Sequence, residues 1–160
     1  MSVVAISAFI LLAVMVSNAA APGATQFDLS YLSTQFGQDA VNRFNSLQKE
    51  YFSRGLTTEQ VKYALAQDLF ESGLFTDVAN YSLMNQNNYA GLTDMGGGYA
   101  SYNSISDFVD AHLGFLQKGS DPIGAGTLSD FNNRLIQNHY YTENPQTYYN
   151  GLLTYYNLLS

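Results

Sequence analysis

The 160-residue sequence predicts a mainly α-helical domain with a small polar β-hairpin lobe, preceded by an N-terminal hydrophobic helix. Three observations predict this. Apolar residues recur at helical spacing through residues 39–73 and again from 104 to about 156. Residues 80–104, "NYSLMNQNNYAGLTDMGGGYASYNS", break that pattern with Asn, Gly and Tyr. The opening stretch, "MSVVAISAFILLAVMVSNAAAPGATQF", has no charged side chain before Asp28.

The elements follow in order. Val3 to Val16 is strongly apolar and signal-peptide sized. Extended through small residues to Ala21, it could just cross a bilayer of roughly 30 Å, which takes about 20 helical residues. Residues 1–21 are therefore read as a transmembrane anchor or a signal segment. Small-x-small patterns at Ser17-Asn18-Ala19 and Ala19-Ala20-Ala21 suit cleavage. The missing basic n-region, and Pro22 after the second site, favour an uncleaved anchor; a buried core helix is the third reading. Residues 22–28 read as a linker and 29–160 as the folded domain. Phe27–Phe36 is a short amphipathic stretch. Asp39–Arg54 carries Val41, Phe44, Leu47, Tyr51 and Phe52 at helical spacing, and Gly55 stops it. Thr57 with Gln60 fits a capping box for a helix running to about Gly73. Its apolar residues lie on more than one face, so it is expected to be covered on more than one side. Gly96-Gly97-Gly98 is a turn signal between two short runs, which suggests the hairpin. Helices resume at Ser104–Gln117 and Ser129–Asn138. Asn144-Pro145 reads as N-cap and first helical position of the last helix.

Composition narrows the function. Hydrophobic residues make up 46% and charged residues 12%, so the chain can fold around a core rather than remain disordered. Net charge is −7, and the six cations (Arg43, Lys49, Arg54, Lys62, Lys118, Arg134) are scattered. Nucleic-acid binding needs clustered cations to displace counterions, so no nucleic-acid partner is expected. An acidic, amide-rich and tyrosine-rich surface suits a neutral polyhydroxylated ligand. The chain has no cysteine, which excludes disulfides, thiolate metal sites and a cysteine nucleophile. His112 and His139 lack metal-ligand spacing, so no metal and no cofactor is expected. His112, on an apolar face, reads as a packed core histidine.

One stretch raises a chemical question. In "QDLFESGLF", residues 67–75, a glutamate closes a helix that reads as well buried. Burying an ionised carboxylate costs several kcal/mol unless it is paired or neutralised. A cleft between this helix and the polar lobe would desolvate Glu71 and raise its pKa. A carboxylic acid still protonated near neutrality can protonate a glycosidic oxygen.

The same residues carry a resemblance. "ALAQDLFESG", "NQNNYAGL", "YASYNSISDFVDAHLGFL" and "YYTENPQTYYNGL" occur in this order between Thr57 and Leu153. They resemble the glucosaminidase domain of glycoside hydrolase family 73, which comprises lysozyme-like peptidoglycan hydrolases. Glu-Ser-Gly alone is shared with lytic transglycosylases. Those typically carry a Gly-Leu-Met-Gln type motif, whereas Gly91-Leu92 here precedes Thr93-Asp94. The resemblance implies a lysozyme-like α-domain that cleaves the β-1,4 bond after N-acetylglucosamine, with Glu71 as general acid. Asp94, in the expected hairpin, is the candidate second carboxylate; assistance by the substrate's N-acetyl group would need none. Asn88, Tyr89, Tyr99 and Tyr141 are candidates for sugar contacts.

Each residue also has a plainer reading. Asp94 and the Asn87-Asn88 pair can be turn formers. Tyr89 and Tyr99 can pack lobe against core, and Tyr140 can take the part given to Tyr141. The expected partners are a peptidoglycan strand, a membrane held through the N-terminal segment, and capsid or membrane-protein neighbours. The expected location is a cell envelope or virion membrane, or outside the cell after signal cleavage. The competing functions are a lytic transglycosylase and a non-catalytic lysozyme-like structural or glycan-binding protein.

Overall fold

A computed structural model describes residues 26–30, 33–75 and 84–159. The expected anchor or signal segment, 1–21, lies outside these residues. Among the described residues no helix is long and apolar enough to cross a membrane. The architecture is mainly helical: α1 (Ser33–Phe36), α2 (Gln38–Ser53), α3 (Thr58–Glu71), α4 (Ile105–Leu116), α5 (Leu128–Gln137) and α6 (Pro145–Leu158), with a 3₁₀ turn at Pro122–Gly124.

The central element is α3. Val61, Tyr63, Ala64, Leu65, Ala66, Gln67, Asp68 and Leu69 are all buried, so it is covered almost all round. Helices α2 and α6 both pack against it. The expected capping box starts α3: Thr57 Oγ1 accepts from the Gln60 amide at 3.3 Å, and Gln60 Oε1 accepts from the Thr57 amide at 2.9 Å. Helix α2 turns Val41, Phe44, Leu47, Tyr51 and Phe52 inward, as its spacing predicted, and buries Gln48 with them. It ends at Gly55, whose φ of 79° suits glycine. Arg54 then fastens α2 to α4 through Asp110 at 2.7 Å and Ser106 Oγ at 2.9 Å. Before α2, the Gln48 amide grips both backbone groups of Phe27 at 3.0 Å, and Leu29 is buried beside it. Residues 27–29 thus dock on α2.

The later helices start on side-chain caps. Ser104 caps α4 and Thr127 caps α5, each accepting an amide at 3.1 Å. Asn144 caps α6 by accepting from Gln146 at 2.9 Å, with Pro145 at the first position as expected.

The expected β-hairpin lobe is corrected by the structure. Residues 92–100 form a tight turn closed by one antiparallel bridge, Thr93 to Tyr99, and no strand occurs among the described residues. Asp94 Oδ1 accepts from the Gly96 and Gly98 amides at 2.8 and 3.1 Å, so the chain satisfies itself locally. Gly96, Gly97 and Gly98 bring no side chains for cross-strand pairs, and without such pairs a ladder has little to extend it.

Candidate functional site

Glu71 is the last residue of α3 and is partly buried. The helix stops here because Ser72 Oγ donates to the Asp68 carbonyl at 2.5 Å, and Gly73, Leu74 and Phe75 all take positive φ. Gly73 does so freely. Leu74 and Phe75, both at 60°, do so at a cost of roughly 1–2 kcal/mol each. The Leu74 amide donates to the Leu69 carbonyl at 2.9 Å, and the buried Phe75 ring meets Tyr89 edge-on at 5.5 Å. Those contacts hold the strained exit, so Glu71 sits on a backbone with little freedom to relax.

Tyr148, on α6, donates its hydroxyl to Glu71 Oε1 at 2.6 Å. The other carboxylate oxygen faces Gly91: a β carbon at that position would lie 3.7 Å from Oε2 and 4.0 Å from Tyr99 Cε1. Those are ordinary contact distances; it is the φ of 62° at Gly91 that favours glycine there. Burial raises the Glu71 pKa, the Tyr148 bond works against that rise, and the charge of Glu143 adds to it. The net direction is upward, toward an acid that keeps its proton.

A tyrosine layer supports the carboxyl. Tyr141 stacks flat on Tyr148, with centroids 3.7 Å apart and planes 11° apart, and donates to Asn132 Oδ1 at 2.9 Å. The Tyr140 hydroxyl donates to the Ala90 carbonyl, next to Gly91. Tyr99 is 56% exposed on the far side of Gly91. Glu71, Gly91, Tyr99, Tyr141 and Tyr148 are therefore gathered at one place.

The structure gives Asn88 and Tyr89 a different position from the one expected of sugar-binding groups, since both side chains are internal. Asn88 is fully buried; its amide donates to the Leu92 and Ala100 carbonyls at 2.8 and 2.9 Å and accepts from the Leu92 amide at 2.9 Å. It staples the two ends of the 92–100 turn. Tyr89 is equally buried between Phe75 and Phe108, and its hydroxyl accepts from Arg43 at 3.2 Å. Neither side chain reaches the surface to meet a glycan. Asp94 is exposed, but one of its oxygens closes the turn. Asn88→Ala is expected to lower stability by about 2–3 kcal/mol, because it leaves buried backbone groups unpaired. Chemical denaturation measures this; a change below about 0.5 kcal/mol would remove the stapling role.

Tyr148, Gly91 and Glu143 enter the site without a role in the sequence reading, and Tyr140 enters it as the alternative to Tyr141. Gly91 and Tyr148 lie inside the quoted segments, but nothing in spacing alone brings α6 to the end of α3. Among the described residues no group of three or more His, Asp or Glu side chains could hold a metal ion. No family model, curated protein or solved structure matches the chain.

Proposed function

We propose that the chain is a peptidoglycan hydrolase, an endo-β-N-acetylglucosaminidase that cleaves β-1,4 bonds of the glycan strand. Glu71 protonates the leaving oxygen. The observation that carries this reading is the Glu71 carboxyl itself: desolvated at a strained helix end, held by Tyr148, and set behind Gly91 beside the exposed ring of Tyr99. The four segments resembling family 73 glucosaminidases support it, and the exposed Tyr99 ring offers an apolar face to pyranose C–H groups. The fold proposed with it is the lysozyme-like α-domain. Residues 1–21 hold the enzyme at a cell-envelope or virion membrane, as an autolysin or a particle-borne lytic enzyme.

The second group of the reaction is Asp94 or the substrate's own N-acetyl group. Asp94→Asn keeps the oxygen that closes the turn and removes only the charge. A fall on the order of 10² or more assigns the base to Asp94; an unchanged rate assigns the role to the substrate. The reading as a whole is tested by mass spectrometry of muropeptides after digestion. Reducing-end N-acetylglucosamine products carrying one added water support it. Products with 1,6-anhydro ends would make the protein a lytic transglycosylase, and intact glycan would leave a non-catalytic lysozyme-like domain.

A further inference from the structure

Phe70 precedes Glu71 on α3, and its ring crosses to α6. There it lies edge-on to Tyr148, at 5.1 Å and 77°, and tilted against Tyr155, at 6.1 Å and 40°. Tyr148, Gly151 and Tyr155 are spaced i, i+3 and i+7, so they share one face of α6. The ring is a knob in a hole whose floor is the backbone of Gly151. The hole exists because that position lacks a β carbon: a methyl group there would stand 2.5 Å from Phe70 Cζ and 2.9 Å from Cδ2. Glycine inside a helix is otherwise unfavourable, so its presence serves the packing rather than the helix. The register that seats Phe70 also brings the Tyr148 hydroxyl within 2.6 Å of Glu71, the next residue along α3.

We propose that Gly151 and Phe70 are positioning residues that lock α6 against the last turn of α3 and so hold the Tyr148 hydroxyl on the Glu71 carboxyl. The catalytic meaning rests on Glu71 being the general acid proposed above; the positioning itself does not. Around Glu71 lie Tyr148 from α6, Tyr140 and Glu143 from the connection before α6, Asp68 from its own helix, and Tyr99 beyond Gly91. The Tyr148 bond favours the ionised carboxylate, against burial and against the Glu143 charge. A methyl at position 151 must displace Phe70, Tyr148 or both. A displacement on the order of 1 Å at an oriented site costs about a hundredfold in rate.

The test is a carbon-13 NMR titration of the Glu71 carboxyl in the full chain without substrate, held in neutral detergent, alongside the pH profile of glycan cleavage. Tyr148→Phe is expected to move the titration to higher pH. Gly151→Ala should move it the same way, shift the pH profile with it, and lower kcat/KM by about a hundredfold. Gly151→Ala should add nothing in a Tyr148→Phe background. Gly151→Ala with Phe70→Leu removes the closest ring atoms, Cε2 and Cζ, and leaves a shorter, flexible side chain that can turn aside, so it should return the titration toward wild type. If Gly151→Ala alone does not fold, this double variant carries the test: it must fold and titrate like wild type. A Gly151→Ala protein that titrates like wild type overturns the proposal, as does a double variant that titrates like Tyr148→Phe. Titrations as expected beside intact muropeptides would keep the positioning and sink the glycosidase; cleavage with unmoved titrations would do the reverse.

Discussion

Under the proposed function, Glu71→Gln is expected to fold normally and to lower glycan cleavage roughly 10²–10⁴-fold, the share of a positioned general acid. The glutamine amide keeps an oxygen for the Tyr148 hydroxyl and fills the same space, so the packing survives. Stability at neutral pH should rise slightly. The folded Glu71 pKa lies above its ordinary 4.5, so the folded protein holds this proton where the unfolded chain has lost it. Stability from this group is complete below 4.5 and declines as pH rises through the folded value. Glutamine removes the decline. Zymography beside thermal melts at pH 7 checks both halves; clearing equal to wild type would end the role of Glu71 as acid.

His112→Ala is expected to cost about 4 kcal/mol, the combined scale of a buried cavity and orphaned polar groups. His112, Asp68 and Gln67 are fully buried between α2, α3 and α4. The Tyr51 hydroxyl lies 2.7 Å from Asp68 Oδ2 and 2.7 Å from His112 Nδ1, and His112 Nε2 lies 3.2 Å from Gln67 Oε1. The Gln67 oxygen can only accept, so Nε2 carries the ring proton and Nδ1 accepts from Tyr51. That hydroxyl has one proton, so the Asp68 carboxylic acid donates to it. Burial drives both ends to this neutral state, lifting Asp68 well above its ordinary 3.8 and taking His112 from 6.5 down to about 3. The 3.3 Å approach of His112 Nδ1 to Asp68 Oδ1 is therefore not an ion pair.

The two buried groups depend on pH in opposite senses. Asp68, raised, contributes stability that is complete below 3.8 and is lost as pH rises through its folded value. His112, lowered from 6.5 to about 3, contributes stability that is complete above 6.5 and is lost as pH falls toward 3. In His112→Ala the loss on acidification below 6.5 disappears, and the Asp68 decline with rising pH remains. Urea denaturation from pH 4 to 8 measures it. A cost below about 1 kcal/mol, or an unchanged pH dependence, would mean the cluster is not this neutral chain.

Both predictions concern residues that the sequence showed unequally. Glu71 was legible because a helix-ending carboxylate beside Ser72 and Gly73 needs a reason. His112 was legible as a core histidine because Ile105, Phe108, Val109, Leu113 and Leu116 share its face. Its partners were not, since Tyr51 lies 61 positions away and Gln67 lies 45. At the expected hairpin, sequence and fold part. Gly96-Gly97-Gly98 marks a reversal correctly, but a reversal does not make strands when the flanking runs lack paired side chains. Asn88 and Tyr89 look polar or amphipathic in sequence and were placed at a ligand. The fold instead spends their hydrogen bonds on Leu92, Ala100 and Arg43.

What this sequence determined by itself is local: helix spans from apolar spacing, helix starts from Thr57, Ser104 and Asn144, a turn from three glycines, and a carboxylate needing explanation. These depend on neighbours within one or two turns, where backbone sterics and short hydrogen bonds act. Only tertiary structure decided that α6 lies against the end of α3, that Tyr148 meets Glu71, and that Gly91 backs the carboxyl. Those choices depend on how a phenylalanine ring fits over a missing β carbon 81 positions away, and shape complementarity of that kind leaves no periodicity in the chain.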